Sequence, residues 1–269
     1  MSHFRCPVCH GPLTDDERSL CCKKGHRFDK ARSGYVNLLQ SQQSSQKRHG
    51  DDKRMLKARR AFLDGGHYAP LCDLLCTVIA KETNTDGVLL DTGCGEGYYT
   101  ARIAQCFDRL TVCGIDISKD ALTMAASRSK DVELAVASVF ALPVGDESAD
   151  TVISVFAPCA DSEFARVLKK GGKLIRIIPT ARHLFGLKAA VYREPRPNKP
   201  ERVEVDGFAL CGRHEICSEL TLTNADDIRH LFEMTPYFYK TGQEDQERLL
   251  SRDTLSTEIG FAVLTYEKN

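Results

Sequence analysis

The sequence lacks any long hydrophobic segment, and that absence excludes several classes of protein. No apolar run approaches the roughly 20 residues of a membrane-spanning helix, and the N-terminus lacks the apolar stretch of a signal peptide. A disulfide framework is also lacking, because most of the 12 cysteines are scattered along the chain and often lie within apolar runs. We therefore expect a cytoplasmic protein with no membrane partner and with reduced cysteines in its core.

The chain carries no net charge, yet its charges are unevenly distributed. Its 269 residues include 37 Lys and Arg and 37 Asp and Glu. Residues 1–60 contain 14 of the basic and 6 of the acidic side chains, so this part has a net charge of +8 and the rest has −8. The distribution favours a polyanion held by the N-terminal part, although a basic face that contacts only solvent is an open alternative.

The chain is predicted to have three parts. Residues 1–38 are rich in cysteine and turn-forming residues, and residues 39–53 consist mostly of Ser, Gln and charged side chains, as linkers do. Residues 54–269 form the main domain, in which predicted strands and helices alternate. This alternation indicates an α/β fold with a mostly parallel, Rossmann-like sheet covered by helices on both faces, to which the last strands add an antiparallel edge.

The main domain begins with two predicted helices that a Gly65-Gly66 pair separates. Five parallel strands are predicted at residues 88–90, 111–115, 132–137, 151–156 and 173–178. Further helices are predicted at residues 98–107, 120–129, 161–168 and 224–233. The antiparallel strands are expected near residues 208–220 and 258–266.

A glycine-rich loop, DTGCGEGYYT at residues 91–100, follows the first of these strands. Its glycines let the backbone approach a ligand beside a helix N-terminus, and they are Gly93, Gly95 and Gly97. Asp116, at the tip of the second strand, is placed to accept hydrogen bonds from two ribose hydroxyls. The third glycine comes one residue earlier than in a dinucleotide loop, and Asp91 would repel a pyrophosphate but attract an ammonium or sulfonium cation.

This loop resembles the first motif, D-x-G-x-G-x-G, of the class I S-adenosylmethionine methyltransferases. The segments LPVGDESADTVIS, residues 142–154, and ARVLKKGGKLI, residues 165–175, are similar to later parts of the same domain. The resemblance covers residues 88–178 and implies S-adenosylmethionine as the cofactor. It also implies that the loop after the third strand, at Ser138 and Val139, flanks the adenine.

The opening stretch has the spacing of a metal site, Cys6-x2-Cys9-x12-Cys22-x3-His26. Two thiolates two residues apart can share one ion, and a second pair after a short hairpin closes a tetrahedron, as at structural zinc sites. Cys21 is an alternative to Cys22, and His10 is a poorer alternative to His26. Four protein ligands leave no position for water, so the spacing predicts a small module that folds around Zn²⁺.

A zinc module joined to a class I methyltransferase resembles the RlmA family of bacterial 23S ribosomal RNA guanine-N1 methyltransferases. The resemblance extends over nearly the whole chain, including RRAFLDGGHYAPL at residues 59–71 and TARHLFGLKAAVY at residues 180–192. It implies methylation of guanine 745 or the neighbouring guanine 748 of one 23S hairpin. The family's zinc ligands fall on Cys6, Cys9, Cys22 and His26, and its cofactor-pocket positions fall on Tyr68, Gly95, Glu96 and His183.

An RNA substrate agrees with the charge pattern, and methyl transfer to guanine N1 sets a chemical requirement. A second basic stretch, residues 181–202, is predicted to border the pocket, and two copies of the chain are expected to form one RNA cleft. Guanine N1 carries a proton, so a base or a group that stabilises charge on O6 is needed. The candidate catalytic residues are Asp161 and Glu163, with Arg182 for charge stabilisation.

Two other functions stay open on the sequence alone. One is a methyltransferase for a small molecule, which would not need a module of net charge +8. The other is a zinc-dependent RNA-binding factor whose cofactor pocket is vestigial. The sequence also leaves open the catalytic base, the oligomeric state, the methylated guanine and the choice between Cys21 and Cys22.

Overall fold

A computed structural model describes residues 2–40 and 50–269. The N-terminal part contains a small antiparallel sheet of three strands, β1 (Leu13–Asp16), β2 (Ser19–Cys22) and β3 (Arg27–Asp29). Leu13 of β1 pairs with Cys22 of β2, so the first hairpin brings the second pair of predicted ligands, Cys22 and His26, back towards the first pair. Among the described residues, no helix is both long and apolar enough to span a membrane.

The main domain alternates strands and helices as the sequence predicts. Its parallel strands are β5 (Val88–Thr92), β6 (Thr111–Asp116), β7 (Glu133–Val136), β8 (Ala149–Val155) and β9 (Leu168–Pro179). Two long strands follow, β10 (Phe208–Leu222) and β11 (Leu255–Lys268). The helices are α1 (Lys53–Asp64), α2 (Ala69–Glu82), α3 (Tyr98–Cys106), α4 (Lys119–Arg128), α5 (Asp161–Val167), α6 (Phe185–Val191), α7 (Ala225–Glu233) and α8 (Gln243–Leu250).

The large sheet has eight strands in the order β10-β11-β9-β8-β5-β6-β7-β4. The five strands from β9 to β7 are parallel, and β10 and β11 form the predicted antiparallel edge. The order reverses at β5, because β6 and β8 lie on opposite sides of it. Open parallel sheets bind ligands outside the carboxyl ends of the strands at such a reversal, so the topology places a site after β5.

The eighth strand, β4 (Val36–Asn37), comes from the N-terminal part and pairs in parallel with β7. Two further contacts hold this part to the main domain. The Arg5 amide donates to the Pro143 carbonyl at 2.7 Å, and His3 Nδ1 lies 2.8 Å from Glu133 Oε1. The N-terminal module is therefore fixed to the sheet edge through backbone as well as side-chain contacts, and the predicted linker lies largely in residues 41–49, outside the described residues.

The core occupies both faces of the sheet, as period-two alternation along the strands requires. On one face, Leu89 packs with helices α1, α2 and α7, and on the other, Leu90 packs with α5. The second face also contacts buried side chains of the N-terminal module, among them Phe4 and Leu13, which are 1% and 0% exposed. The module thus covers part of the sheet where the sequence predicted helices alone.

Candidate active site and metal centre

Four side chains of the N-terminal module converge on one point. The ligand atoms of Cys6, Cys9, Cys22 and His26 all lie within 4.8 Å of one another. Cys6 and Cys9 belong to a turn in which the Cys6 amide bonds to the Gly11 carbonyl at 2.9 Å. Cys22 ends β2, and its amide bonds to the His26 carbonyl at 3.0 Å, which closes a second turn around the same point. The two turns together present the four ligands that the spacing predicts.

The distances within this cluster fit one tetrahedral zinc ion. Zn–S bonds of about 2.3 Å place two sulfurs roughly 3.8 Å apart, and Cys9 Sγ lies 3.7 Å from Cys22 Sγ. His26 Nδ1 lies 3.5 Å from Cys6 Sγ and 3.2 Å from Cys22 Sγ. All four positions are taken by protein, so the Zn²⁺ that this cluster holds is structural and activates no water.

The structure distinguishes the two open ligand choices. Cys21 Sγ faces Asp16 Oδ2 at 3.9 Å and Ser19 Oγ at 3.5 Å, away from the cluster. His10 is exposed and is likewise not part of the cluster. Burial raises the pKa of the Cys22 thiol, but hydrogen bonds from the His26 and Lys24 amides and from the Cys9 and His26 side chains together lower it to about 6. A thiol that ionises this readily is a suitable metal ligand.

A cavity of about 750 Å³ opens at the carboxyl ends of β5, β6 and β8. It is lined by nine of the ten predicted cofactor residues, namely Tyr68, Asp91, Gly93, Gly95, Glu96, Asp116, Ser138, Val139 and His183. The tenth, Gly97, caps helix α3 with φ +83°, and a Cβ there would lie 2.8 Å from the Ala125 Cβ. Gly97 therefore allows α3 and α4 to approach closely, and the other nine surround the cavity.

Asp91 supplies a buried negative charge at the base of the cavity. The residue is 1% exposed, and its Oδ2 accepts a hydrogen bond from Thr100 Oγ1 at 2.6 Å. Its Oδ1 is buried and has no hydrogen-bond partner among the described residues. Burial raises the pKa of this carboxyl to about 7. An unpaired buried oxygen of this kind fits a cationic ligand, such as the methionine ammonium of S-adenosylmethionine.

Asp116 stands at the tip of β6 with its carboxylate held by backbone. Its Oδ2 accepts from the Gly95 amide at 2.9 Å and its Oδ1 from the Ser118 amide at 2.8 Å. Each carboxylate oxygen keeps a free lone pair after these bonds, so both can accept from ribose hydroxyls. Gly95 itself has φ +56°, and a Cβ there would meet only open space. The backbone is therefore bare where a nucleoside would approach it.

Three further cavity residues have distinct surroundings. Glu96 is 2% exposed and its Oε2 accepts from Arg128 Nε at 2.6 Å. The Tyr68 hydroxyl is buried without a partner among the described residues, and burial raises its pKa. His183 Nδ1 accepts from the Gly260 amide at 3.3 Å, and burial followed by the charge of Lys188 lowers the His183 pKa to about 4. His183 is therefore a neutral ring whose Nε2 carries the proton.

The structure adds cavity residues that the sequence did not single out. They lie on α1, after β7, between α6 and β10 and after α7, and they include Arg59, Phe140, Asn198 and Thr235. Asn198 connects several elements, because its Nδ2 donates to the His183 carbonyl at 2.9 Å and its Oδ1 accepts from Lys188 Nζ at 2.6 Å. Residues 234–237 also line the cavity. Arg59 and Asn198 lie within segments that resemble the family or border the predicted pocket, but no local pattern marks the individual residues.

The three predicted catalytic residues do not line the cavity. Asp161 accepts hydrogen bonds from Arg202 and from the Asp206 amide. Glu163 accepts from the Leu142 amide at 2.6 Å and from Arg166. Burial raises the pKa of both carboxyls, but hydrogen bonds lower it by more, chiefly from the Cys159 side chain at Asp161 and from Arg166 at Glu163, and this disfavours proton uptake.

Arg182, the third of them, pairs with Glu258 and lies over the Phe185 ring, 4.4 Å from its centroid. Its guanidinium is thus occupied by contacts outside the cavity. Each of the three residues has a structural partner, so their roles in catalysis stay predictions that these contacts do not support.

Comparison with known proteins matches both parts of the chain. The family model described as "RlmA, N-terminal" matches residues 4–47, and a methyltransferase-domain model matches residues 89–172. A Streptomyces fradiae protein named 23S rRNA (guanine(748)-N(1))-methyltransferase is 38% identical over 192 residues, which are 70% of this chain and 68% of that protein. A Bacillus subtilis protein with a provisional 23S rRNA guanine-N1-methyltransferase name is 32% identical over 248 residues, or 87% and 86% of the two chains.

Solved structures agree on the fold. One described as "Conversion of a Disulfide Bond into a Thioacetal Group during Echinomycin Biosynthesis" superposes with a TM-score of 0.50 at 14% identity, covering 72% of this chain and 81% of that one. At this identity the likeness concerns the fold alone. The two family matches and the coverage of the two relatives go further. The chain therefore belongs to the RlmA family of S-adenosylmethionine-dependent methyltransferases, with an N-terminal zinc ribbon and a Rossmann-like methyltransferase domain.

Proposed function

We propose that this chain methylates N1 of a guanine in a hairpin of 23S ribosomal RNA, in the cytoplasm, with S-adenosylmethionine as the methyl donor. The observation that carries the proposal is the position of the zinc module beside the cavity. Strand β4 pairs with β7, and the segment after β7, with Ser138, Val139 and Phe140, lines the cavity. RNA bound to the module would thus lie next to the cofactor site, and the names of both relatives support that substrate.

The proposed RNA surface is smaller than the basic stretches of the sequence suggest. Lys188 is buried, and Arg182 and Arg202 are paired with carboxylates. Basic side chains that stay exposed include Lys23, Lys24 and Arg32 on the module and Arg193 and Lys199 on the second basic stretch, residues 181–202. Lys23 and Lys24 lie between the zinc ligands Cys22 and His26, so the metal would position both for phosphate.

Lys23 and Lys24 are expected to contribute phosphate contacts. Changing both to glutamine should weaken binding to a 23S hairpin and lower the slope of log affinity against log salt by about 2, one unit for each lost contact. Filter binding at several salt concentrations measures this slope. Lys170→Gln is the matched control, since Lys170 is exposed near the start of β9, at the end of the parallel strands opposite the cavity. An unchanged slope in the double variant would show that these two lysines of the module do not contact RNA phosphates.

Methyl transfer to guanine N1 requires the base to leave its stack and lose the N1 proton. When bound, S-adenosylmethionine supplies the electrophilic methyl group. The cavity residues Asp91 and Asp116 are proposed to hold the cofactor, together with the remaining predicted cofactor positions. Neutral His183 donates rather than accepts a proton at Nε2, so we assign it to orienting the cofactor or the base, and not to deprotonating N1.

The proposal is tested by incubating the purified chain with S-adenosylmethionine and 23S RNA that lacks the methyl group, followed by nuclease digestion and mass mapping. One new methyl on a single guanine N1 is expected, and we favour guanine 748 over guanine 745, since the former is in the name of the Streptomyces relative. Methylation at guanine 745 would change the assigned nucleotide but leave the proposed reaction and substrate unchanged. Transfer to small molecules with none to RNA would replace this proposal with the small-molecule alternative.

We also infer that two copies of the chain form one RNA cleft. Strand β10 is 15 residues long, and no strand among the described residues pairs with its outer edge. Its side chains are largely exposed, and an open edge of this length is a template for pairing with a second chain. Light scattering of the purified protein tests this, and the mass of one chain at assay concentration would reject it.

The proposed division of the chain has three parts. Residues 1–38 form the zinc module, residues 39–53 connect it, and residues 54–269 form the methyltransferase domain. The β4–β7 pairing supports a module that is separate in sequence but fixed in position. The module is therefore proposed to keep one position relative to the methyltransferase domain.

A further inference from the structure

We propose that the ring of Phe156 is the surface on which the target guanine stacks, which makes Phe156 a substrate-positioning residue. This inference rests on the proposed RNA methylation and adds a residue for the base itself. Phe156 directly follows β8 and lines the cavity. Its backbone, its exposure and its neighbours each point to the same role.

The backbone of Phe156 adopts a conformation that a bulky side chain rarely takes. Its φ is +54°, in the left-handed region. The Phe156 amide donates to the Ile177 carbonyl at 3.1 Å, so this conformation is held by the neighbouring strand β9. Strain of this kind persists only where surrounding structure enforces it, and it concentrates at functional sites. The conformation lifts the ring out of the strand and towards the cavity.

The turn that carries Phe156 packs against the cofactor loop. A Cβ placed on Gly93 would lie 2.6 Å from the Ala157 Cβ, so the two segments touch where only a glycine fits. The Ser154 hydroxyl donates to the Ala157 carbonyl at 3.5 Å and steadies the turn. Phe156 is thereby positioned by the same backbone that forms the cofactor site, and a base stacked on it would lie beside that site.

The ring has one packed side and remains largely accessible. Its centroid is 5.4 Å from that of Phe261, at an interplanar angle of 46°, and Phe261 is 1% exposed. Phe156 itself is 47% exposed. Among the large exposed apolar side chains of the described residues, Phe140 and Phe156 line the cavity. Phe140 follows the loop predicted to flank the adenine, which leaves Phe156 as the platform for a second aromatic ring.

Stacking suits the task because every base has a π face, so a phenylalanine holds a flipped guanine without a hydrogen bond. A ring held rigidly by backbone also loses little conformational entropy when the base binds. The alternative role for Phe156 is to close the cavity with apolar bulk. A leucine of similar bulk would serve that role equally, but it offers no planar face.

The experiment compares Phe156→Leu, Phe156→Tyr and Phe156→Gly in methylation of a 23S hairpin RNA, with S-adenosylmethionine affinity measured by calorimetry. Leu and Gly should lower kcat/KM for RNA about 10- to 100-fold, the range of a lost base–aromatic stack, with cofactor affinity unchanged. Tyr keeps the ring and should restore most of the activity. Glycine adopts a positive φ without strain, so a loss of activity in Phe156→Gly cannot be attributed to backbone strain at this position.

Phe107→Leu is the matched control, since it removes the same ring at a partly buried position at the end of α3 that does not line the cavity. It should methylate like the unchanged protein. Full activity in Phe156→Leu would show that the ring only closes the cavity and would overturn this inference while leaving the proposed function intact. An unchanged protein that methylates no guanine in the hairpin would overturn both.

Discussion

Replacing Cys9 with serine is expected to abolish RNA methylation while S-adenosylmethionine affinity stays within a few-fold of its original value. Cys9 Sγ is 3.7 Å from Cys22 Sγ in the zinc cluster. Structural zinc contributes about 10–16 kcal/mol to the folding of small modules of this kind. A ligand set with one oxygen in place of a thiolate holds the ion far less tightly, so the ribbon should unfold and the exposed Lys23 and Lys24 should lose their positions.

Cofactor binding should survive because the strands that carry it are interior to the sheet. Asp91 lies near the carboxyl end of β5 and Asp116 at that of β6, whereas the module adds only β4 at the edge. Some thermal stability should still be lost, since Phe4 and Leu13 of the module are buried in the core of one sheet face. The expected combination is therefore a lower Tm, near-normal cofactor binding and no product.

Cys21→Ser is the matched control for this variant. The two cysteines adjoin the same hairpin, but Cys21 Sγ contacts Asp16 and Ser19 instead of the cluster. The control should retain one zinc per chain by elemental analysis and should methylate RNA normally, whereas the Cys9 variant should contain no zinc. Undiminished methylation by a zinc-free Cys9 variant would show that RNA recognition does not require the zinc site, which would contradict this prediction.

The parts of the site that the sequence predicts are those encoded by local spacing. The zinc ligands lie in two tight turns, so their separation along the chain determines their convergence in space. Asp91 and Asp116 lie at the carboxyl ends of two strands that are neighbours in the sheet, and parallel strands align these ends. The strand and helix positions from residue 88 to residue 179 agree with the prediction for the same reason, because hydrophobic periodicity is a local property.

The parts that the sequence misses depend on contacts between distant segments. Helices α6 and α8 were not predicted. Asn198 joins the cavity only because Lys188 and the His183 carbonyl hold its loop. The partners of Glu163, a predicted catalytic residue, depend on such contacts too. Its carboxylate accepts from the Leu142 amide and pairs with Arg166, and no sequence pattern reveals these two partners.

Asp91→Asn should reduce S-adenosylmethionine affinity about 100-fold or more, because a cation facing a neutral amide in a buried site loses its partner. Asp91 is 1% exposed and its Oδ1 has no hydrogen-bond partner among the described residues, so this oxygen is available to the cofactor cation. Asn has almost the same shape, which keeps the loop packed. Asp161→Asn, the same change outside the cavity, should leave cofactor affinity unaltered.

Asp91 should also make cofactor affinity and folding stability respond to pH in opposite directions. Burial raises the pKa of Asp91 to about 7 from an ordinary value of 3.8. Below about 7 the carboxyl is protonated and no longer balances the cofactor cation, so affinity should fall about tenfold per pH unit. The folded chain meanwhile binds a proton that the unfolded chain does not take up until pH 3.8, so protonation adds stability that is lost as pH rises through 7.

Calorimetric titrations and denaturant unfolding between pH 5 and 8 would measure both responses, each as the difference between the unchanged protein and Asp91→Asn. In the Asn variant the Asp91 contribution to both slopes should vanish, because an amide does not titrate. A cofactor affinity with the same pH dependence in both proteins would contradict the assignment. Desolvation destabilises the ionised Asp91 carboxylate and also strengthens its attraction for a cation. The burial that lowers the stability of the cofactor-free chain above pH 7 is therefore the same burial that raises its affinity for the cofactor.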